Sequence, residues 1–136
     1  MVKVFVYGTL KNGFPFFEKG LADARFLGPY RTVEPYPMLI AQDFFGPVML
    51  DKRGEGLHVQ GELYEVAEAS LPTLEQLEGV GKPGSFSRPI SVEPLGGGIR
   101  VEAIGFFKGE SWAEPAKSGY LSDYQDRRFI PPWERS

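Results

Sequence analysis

Few residues in this chain are equipped for chemistry, and the carboxylates come first. Glu75 and Glu78 lie three apart at the end of the run Leu71-Pro72-Thr73-Leu74-Glu75-Gln76-Leu77-Glu78-Gly79. A glutamate at the end of a helix meets the negative end of the helix dipole, which raises its pKa. Desolvated by apolar neighbours as well, it would serve as a general base. Left in solvent, it is an ordinary surface carboxylate. His58 is the only histidine, and no nucleophilic serine stands near it in sequence for it to activate, so it reads as a strand residue. There is no cysteine, which excludes disulfides, thiolate metal sites and a Cys nucleophile. One histidine excludes a multi-His metal site. An oxygen-ligand site for magnesium or calcium shows no loop signature.

Two glycine-containing stretches carry the remaining chemistry. Gly79-Val80-Gly81-Lys82-Pro83-Gly84 matches the letters of a dinucleotide-binding fingerprint. That fingerprint needs a strand before it and a helix opening inside it. Here a helix precedes it, and Pro83 sits where the helix would run, so the stretch reads as a loop. The second stretch is Val2-Lys3-Val4-Phe5-Val6-Tyr7-Gly8-Thr9-Leu10-Lys11. Its first half alternates with period two, as a strand does. Gly8 then permits a sharp turn or the close approach of a ligand. Backbone N–H groups released from a ladder at such a turn can face an anion or an oxyanion. The bland alternative is a strand running into an ordinary turn.

The elements that must position these residues follow from the hydrophobic pattern. Ser70 suits a helix N-cap, Pro72 is tolerated in the first turn, and Leu71, Leu74 and Leu77 recur at a spacing of three. A short helix is therefore expected from Leu71 to about Glu78, closed by Gly79. Another is expected from about Pro15 to Ala24. Strands are expected at Met38–Ala41, Pro47–Leu50 and Leu57–Val66, the last with a bulge or face change near Glu62-Leu63. Phe86–Val92 reads as a strand at an edge or with a bulge, because of Pro89. Gly96-Gly97-Gly98 turns it back into Ile99–Phe107. Residues 28–37 contain three prolines, and Pro35 and Pro37 hold Tyr36 extended or in a turn. From Lys108 on, the chain is irregular but aromatic, and its order depends on those rings packing back on the domain. About six strands and two or three short helices, without regular alternation, predict an α+β fold with a curved or closed sheet.

The bulk numbers bound the rest. A chain of 136 residues is expected to form one domain with a real core. A net charge of -3 without a basic run argues against nucleic acid as the main partner. No apolar segment approaches the ~20 residues of a membrane span, and the N-terminus lacks a signal-peptide pattern. A cytoplasmic location is expected.

Read together, these residues resemble the gamma-glutamylcyclotransferase-like superfamily, and within it the gamma-glutamylamine branch. The resemblance rests on Val6-Tyr7-Gly8-Thr9-Leu10-Lys11, on Arg31-Thr32-Val33-Glu34-Pro35-Tyr36-Pro37, on Gly61-Glu62-Leu63-Tyr64-Glu65-Val66, and on Leu77-Glu78 followed by Phe86-Ser87-Arg88. It covers nearly the whole chain. It implies a small mixed β-barrel with flanking short helices over residues 1–136, acting without metal or cofactor. The implied reaction is an intramolecular aminolysis, in which the α-amine of a gamma-glutamyl group attacks its own side-chain carbonyl. The products are 5-oxoproline and a free amine, lysine when the substrate is gamma-glutamyl-ε-lysine.

The family's catalytic glutamate falls on Glu78, and its substrate-binding loop on Tyr7, Gly8, Thr9 and Leu10. The implied partner is a small gamma-glutamyl substrate, with no nucleic acid and no membrane, and with a monomer or homodimer both open. Alternatives are action on other gamma-glutamyl conjugates, or a binding module that holds such a ligand without turnover. Thr9 stands where the glutathione-degrading branch usually has serine, which disfavours that branch. Phe86 replaces a frequent tyrosine, Asn12 replaces a usual arginine, and Phe16 or Phe17 replaces a polar asparagine.

Overall fold

The computed structural model describes residues 1–135, and the architecture is a closed five-stranded barrel with a separate hairpin and short helices. In chain order the elements are β1 (Val2–Val6), α1 (Phe17–Gly20), β2 (Arg25–Thr32), β3 (Met38–Ala41), β4 (Gly46–Met49), β5 (Gln60–Val66), α2 (Leu71–Glu78), β6 (Ser85–Pro94) and β7 (Val101–Lys108). The barrel order is β1-β5-β2-β6-β7, closed where β1 meets β7 in parallel at Val4 and Ile104. The expected α+β fold with a small mixed barrel and flanking short helices is therefore the one found.

Both faces of β1 are buried, which explains its composition. Phe5 and Tyr7 point into the barrel with Leu63, Ile90, Val92 and Phe107. Val4 and Val6 point outward, under Leu10, Leu21 and Leu74. A strand covered on one face by barrel core and on the other by helices has no solvent side, so an apolar run suits it better than strict alternation.

The same two-sided burial decides between the two readings of β5 in favour of a face change. Leu63 lies in the barrel interior, while Tyr64 and Val66 lie in the outer cluster. The change of hydrophobic face near Glu62-Leu63 is therefore not a bulge in β5. The irregularity sits across the ladder, in β2, where the register shifts between Phe26 and Gly28 opposite Tyr64 and Leu63. The β2 strand was not expected from sequence. Gly28 and Pro29 obscure it, and long-range pairing with β5 on one side and β6 on the other supplies what local preference does not.

Pro89 obeys the edge expectation. The β6 strand pairs with β7 along Ser85–Val92 without a register break, but with β2 only at Val92, Glu93 and Pro94. Pro89 thus sits where β6 has one neighbour and its missing N–H breaks no ladder. The β3–β4 hairpin adds Met38, Ile40 and Met49 to the barrel core and presents Leu39, Ala41, Val48 and Leu50 to Trp112 and Ala113. The first helix is shorter than expected, a single turn at Phe17–Gly20 flanked by turns, whereas α2 occupies the expected residues.

The C-terminal segment is ordered by its aromatic residues. Tyr124 is fully buried, packs against Phe14 with ring centroids 5.7 Å apart, and donates its hydroxyl to the Phe45 carbonyl at 2.7 Å. Lys11, also buried, donates to Asp123 Oδ1 at 3.1 Å and to the Tyr124 carbonyl at 2.6 Å. Tyr124→Phe keeps the ring and leaves the Phe45 carbonyl without this donor. It is expected to lower stability by about 1–3 kcal/mol, read from urea unfolding at constant slope.

Candidate functional site

A cleft opens where the turn after β1, the hairpin strand β4, the end of α2 and the C-terminal segment meet. Its walls include Thr9, Pro47, Glu78, Lys82, Lys108 and Trp112, together with Phe16, Phe44, Phe129 and Arg135. The aromatic wall is continuous: Phe16 meets Phe129 edge-on at 5.6 Å, and Phe129 meets Phe44 edge-on at 6.1 Å.

Glu78 reaches this cleft because it ends α2. Leu74 is fully buried in the outer cluster, and Leu77 packs against the same cluster, so the helix is held by its apolar face. Gly79 closes it in the left-handed conformation, φ 77°, with its N–H on the Gln76 carbonyl at 3.1 Å. Among the described residues the Glu78 carboxylate has no hydrogen-bond donor and no ion pair within 4.0 Å. No side-chain polar atom among them is sealed without a partner, so this unpaired carboxylate opens to the cleft. Burial around it pushes its pKa above the ordinary value of 4.5, and the Lys108 charge works in the opposite direction.

The last helical carbonyl is satisfied as well. The Glu78 carbonyl accepts from Ser85 Oγ at 3.0 Å and from Lys108 Nζ, which also donates to Ser85 Oγ at 2.7 Å. Lys108 lies at the end of β7 with its ammonium 4.9 Å from the Trp112 ring centre. Burial lowers its pKa, and the Glu78 charge opposes that shift.

The residues of the N-terminal turn divide by role. Thr9 lines the cleft with Glu78. Tyr7 lies behind it, inside the barrel, with its hydroxyl donating to the Phe106 carbonyl at 3.0 Å. Burial first, and then the Glu78 charge, hold the Tyr7 phenol well above its ordinary range. Gly8 and Leu10 do not line the cleft with their side-chain positions. The Leu10 side chain is fully buried in the outer cluster, and Gly8 faces the Pro47 ring. Within the turn, the Lys11 N–H donates to the Gly8 carbonyl and the Phe16 N–H to the Thr9 carbonyl, both at 3.0 Å. The N–H groups of Gly8, Thr9 and Leu10 have no acceptor among the described residues.

The other residues singled out from sequence lie elsewhere. Glu75 does not line the cleft. His58 is exposed, with Nδ1 3.0 Å from the Thr32 carbonyl oxygen. Phe86 stacks on Phe107 at 6.0 Å and is not a cleft residue. Of the two phenylalanines weighed against the missing asparagine, Phe16 lines the cleft and Phe17 packs toward Tyr64 on another face. The Asn12 N–H donates to Glu62 Oε1 at 2.9 Å, away from Glu78. The loop after Gly79 contributes Lys82 to the cleft. Among the described residues no group of three or more His, Cys, Asp or Glu is placed to hold a metal ion. No described helix is long and apolar enough to cross a membrane.

Lys108, Lys82, Trp112 and Arg135 were not foreseen as cleft residues. A signal existed for Lys108: it directly follows the run Gly105-Phe106-Phe107, which is buried, and a charge at such a position needs partners. The other three arrive through loops and the C-terminal segment, whose placement no local pattern encodes.

Comparison with known proteins agrees with this geometry. Residues 4–126 match the family described as gamma-glutamyl cyclotransferase, AIG2-like. A gamma-glutamylaminecyclotransferase of Rattus norvegicus is 41% identical over 137 residues, covering 98% of this chain and 83% of that protein. A putative gamma-glutamylcyclotransferase of Arabidopsis thaliana is 40% identical over 94 residues, covering 64% of this chain. The matched stretch spans about half the length of that relative, 49%. The crystal structure of an AIG2-like protein from Mus musculus superposes with a TM-score of 0.85 at 30% identity, covering 99% of both chains. A barrel in the same arrangement, matched along nearly its full length, places this chain in the gamma-glutamyl cyclotransferase, AIG2-like family.

Proposed function

We propose that the cleft cyclises gamma-glutamyl amides, with gamma-glutamyl-ε-lysine as the preferred class of substrate and Glu78 as the general acid/base. The observation that carries the reading is the Glu78 carboxylate: unpaired, raised in pKa by burial, and open to the same cleft as Thr9. The α-amine must lose a proton before it attacks. Its pKa is about 7.7–8.0 against about 4.3 for an unperturbed glutamate, so that transfer is uphill by roughly 5 kcal/mol. Raising the pKa of the acceptor reduces this cost and brings the base closer to neutral pH.

The steps balance without a cofactor. The α-ammonium gives its first proton to Glu78, which releases it to solvent; the free amine nitrogen then bonds to the side-chain carbonyl carbon as its second proton passes to Glu78. The carbonyl oxygen becomes an oxyanion. The oxyanion then re-forms the carbonyl as the bond to the leaving nitrogen breaks, and Glu78 passes its proton to that nitrogen. The products are 5-oxoproline and the free amine. Attack is already intramolecular, so the protein's main task is to hold the glutamyl chain folded for ring closure. The N–H groups of Gly8, Thr9 and Leu10 suit the glutamyl carboxylate or the oxyanion, since they lack acceptors in the fold. The aromatic wall of Phe16, Phe44 and Phe129 suits an aliphatic leaving amine.

The test is release of 5-oxoproline from gamma-glutamyl-ε-lysine, gamma-glutamyl-alanine and glutathione. The expected result is turnover of the first at the highest kcat/KM. Preference for gamma-glutamyl-alanine would move the assignment to other conjugates. Binding of all three without product would make the cleft a binding module.

A further inference from the structure

Among the described residues that line the cleft, Lys108 is the one buried ammonium, and the reaction just proposed does not use it. Its side chain is 8% exposed as a residue, at the end of β7, beneath the last turn of α2. Two of its N–H groups are engaged, by the Glu78 carbonyl and by Ser85 Oγ, and the ammonium also lies 4.9 Å from the Trp112 ring centre. A lysine used only to cap a helix would keep its charge in solvent. Here the charge is brought under cover, beside an unpaired carboxylate with which it forms no ion pair within 4.0 Å.

We propose that Lys108 is a positioning residue for Glu78: its ammonium fixes the end of α2 and places one positive charge behind the carboxylate. The inference rests on Glu78 being the general acid/base. Burial raises the Glu78 pKa, and the further it rises the smaller the fraction of carboxylate free to accept a proton from the substrate amine. A nearby positive charge counteracts that effect without consuming the lone pairs of the carboxylate, because the hydrogen bond goes to the backbone carbonyl instead. The charged or titratable groups around Glu78 are Lys108 from β7, Lys82 from the loop after α2, Tyr7 from the turn after β1, and Arg135 from the C-terminal segment. Lys82 and Arg135 are exposed, so solvent and salt screen them more than Lys108. Tyr7 stays neutral over the working range, its phenol held up by burial.

Three variants separate charge from scaffolding. Lys108→Met keeps the buried stem and removes the charge, while Ser85 Oγ still serves the Glu78 carbonyl. Lys108→Gln also lacks the charge but retains a donor, and serves if the Met variant is poorly folded. Ser85→Ala removes a hydrogen bond from the same network and leaves the charge. With gamma-glutamyl-ε-lysine as substrate, the acid limb of kcat/KM is expected to move to higher pH in both Lys108 variants. Relative to wild type, they lose about tenfold more activity at pH 6 than at pH 8. Ser85→Ala is expected to lower activity evenly with the limb in place. The Glu78 carboxyl is titrated in parallel by carbon-13 NMR, assigned by its absence from Glu78→Gln, and should follow the same displacement. A limb and titration unchanged in both Lys108 variants would overturn the inference, as would an equal displacement in Ser85→Ala. Turnover retained by Glu78→Gln would instead overturn the proposed reaction, and the NMR titration would still report whether Lys108 acts on Glu78.

Discussion

Glu78→Gln is expected to lower kcat on gamma-glutamyl-ε-lysine by about 10²–10⁴-fold while leaving KM within a few-fold of wild type. The amide matches the carboxylate in size but cannot take up the proton that the attacking amine must shed. Substrate contacts on the Thr9 side and on the aromatic wall are untouched, so ground-state binding should persist. The same substitution is expected to change stability with pH in a defined direction. A carboxylate raised in the folded state favours folding when protonated; that contribution is present below the ordinary pKa of 4.5 and is lost as pH rises through the raised folded value. Wild type should therefore lose stability over that interval, and Glu78→Gln should not. Thermal unfolding at pH 4 and pH 8 reads this: the melting temperature of the variant relative to wild type should be higher at pH 8 than at pH 4. Near-normal turnover in a folded Glu78→Gln protein would remove the glutamate from the mechanism.

The position of Glu78 was legible because local rules coincide there. Leucine spacing defines α2, Gly79 ends it in a left-handed residue, and the last helical side chain emerges beside the loop. The opening strand was legible for the same reason, although its burial on both faces was not: Phe5 and Tyr7 fill the barrel, while Val4 and Val6 meet the helices. The β2 strand was illegible because its residues have weak local strand preference. Gly28 and Pro29 sit inside it, Phe26 is exposed, and its pairing partners lie far along the chain. The cleft was half legible. A turn and a helix end supply Thr9 and Glu78, but the wall facing them comes from β4 and from residues beyond Lys108. Those rings could be expected to pack somewhere, as Tyr124 does, without revealing that Phe129 would meet Phe16 and Phe44 at the cleft.

The glycine of the N-terminal turn is the second position where a large effect is expected. Gly8→Ala should cost about 1–3 kcal/mol of stability and reduce turnover on the order of 10²-fold. Its φ is not in the left-handed region, so backbone strain is not the cause. The cause is Pro47. A Cβ on residue 8 would lie 2.4 Å from Pro47 Cγ and 2.9 Å from Pro47 Cβ. A proline ring cannot rotate aside, so either the turn or β4 must move. Both line the cleft that Glu78 enters, and small displacements of positioning groups are costly when catalysis depends on geometry. The sequence left two reasons for a glycine here: backbone geometry or approach by a ligand. A double-mutant cycle with Pro47→Gly decides whether the packing contact is sufficient. Removing the ring should return most of the stability lost to Gly8→Ala, giving a coupling between the two sites of about 1–3 kcal/mol. If stability returns and turnover returns with it, the glycine exists to let β4 lie against the turn. If stability returns while turnover stays low, the space above residue 8 belongs to the substrate, and the N–H groups of Gly8, Thr9 and Leu10 gain direct support as its binding surface.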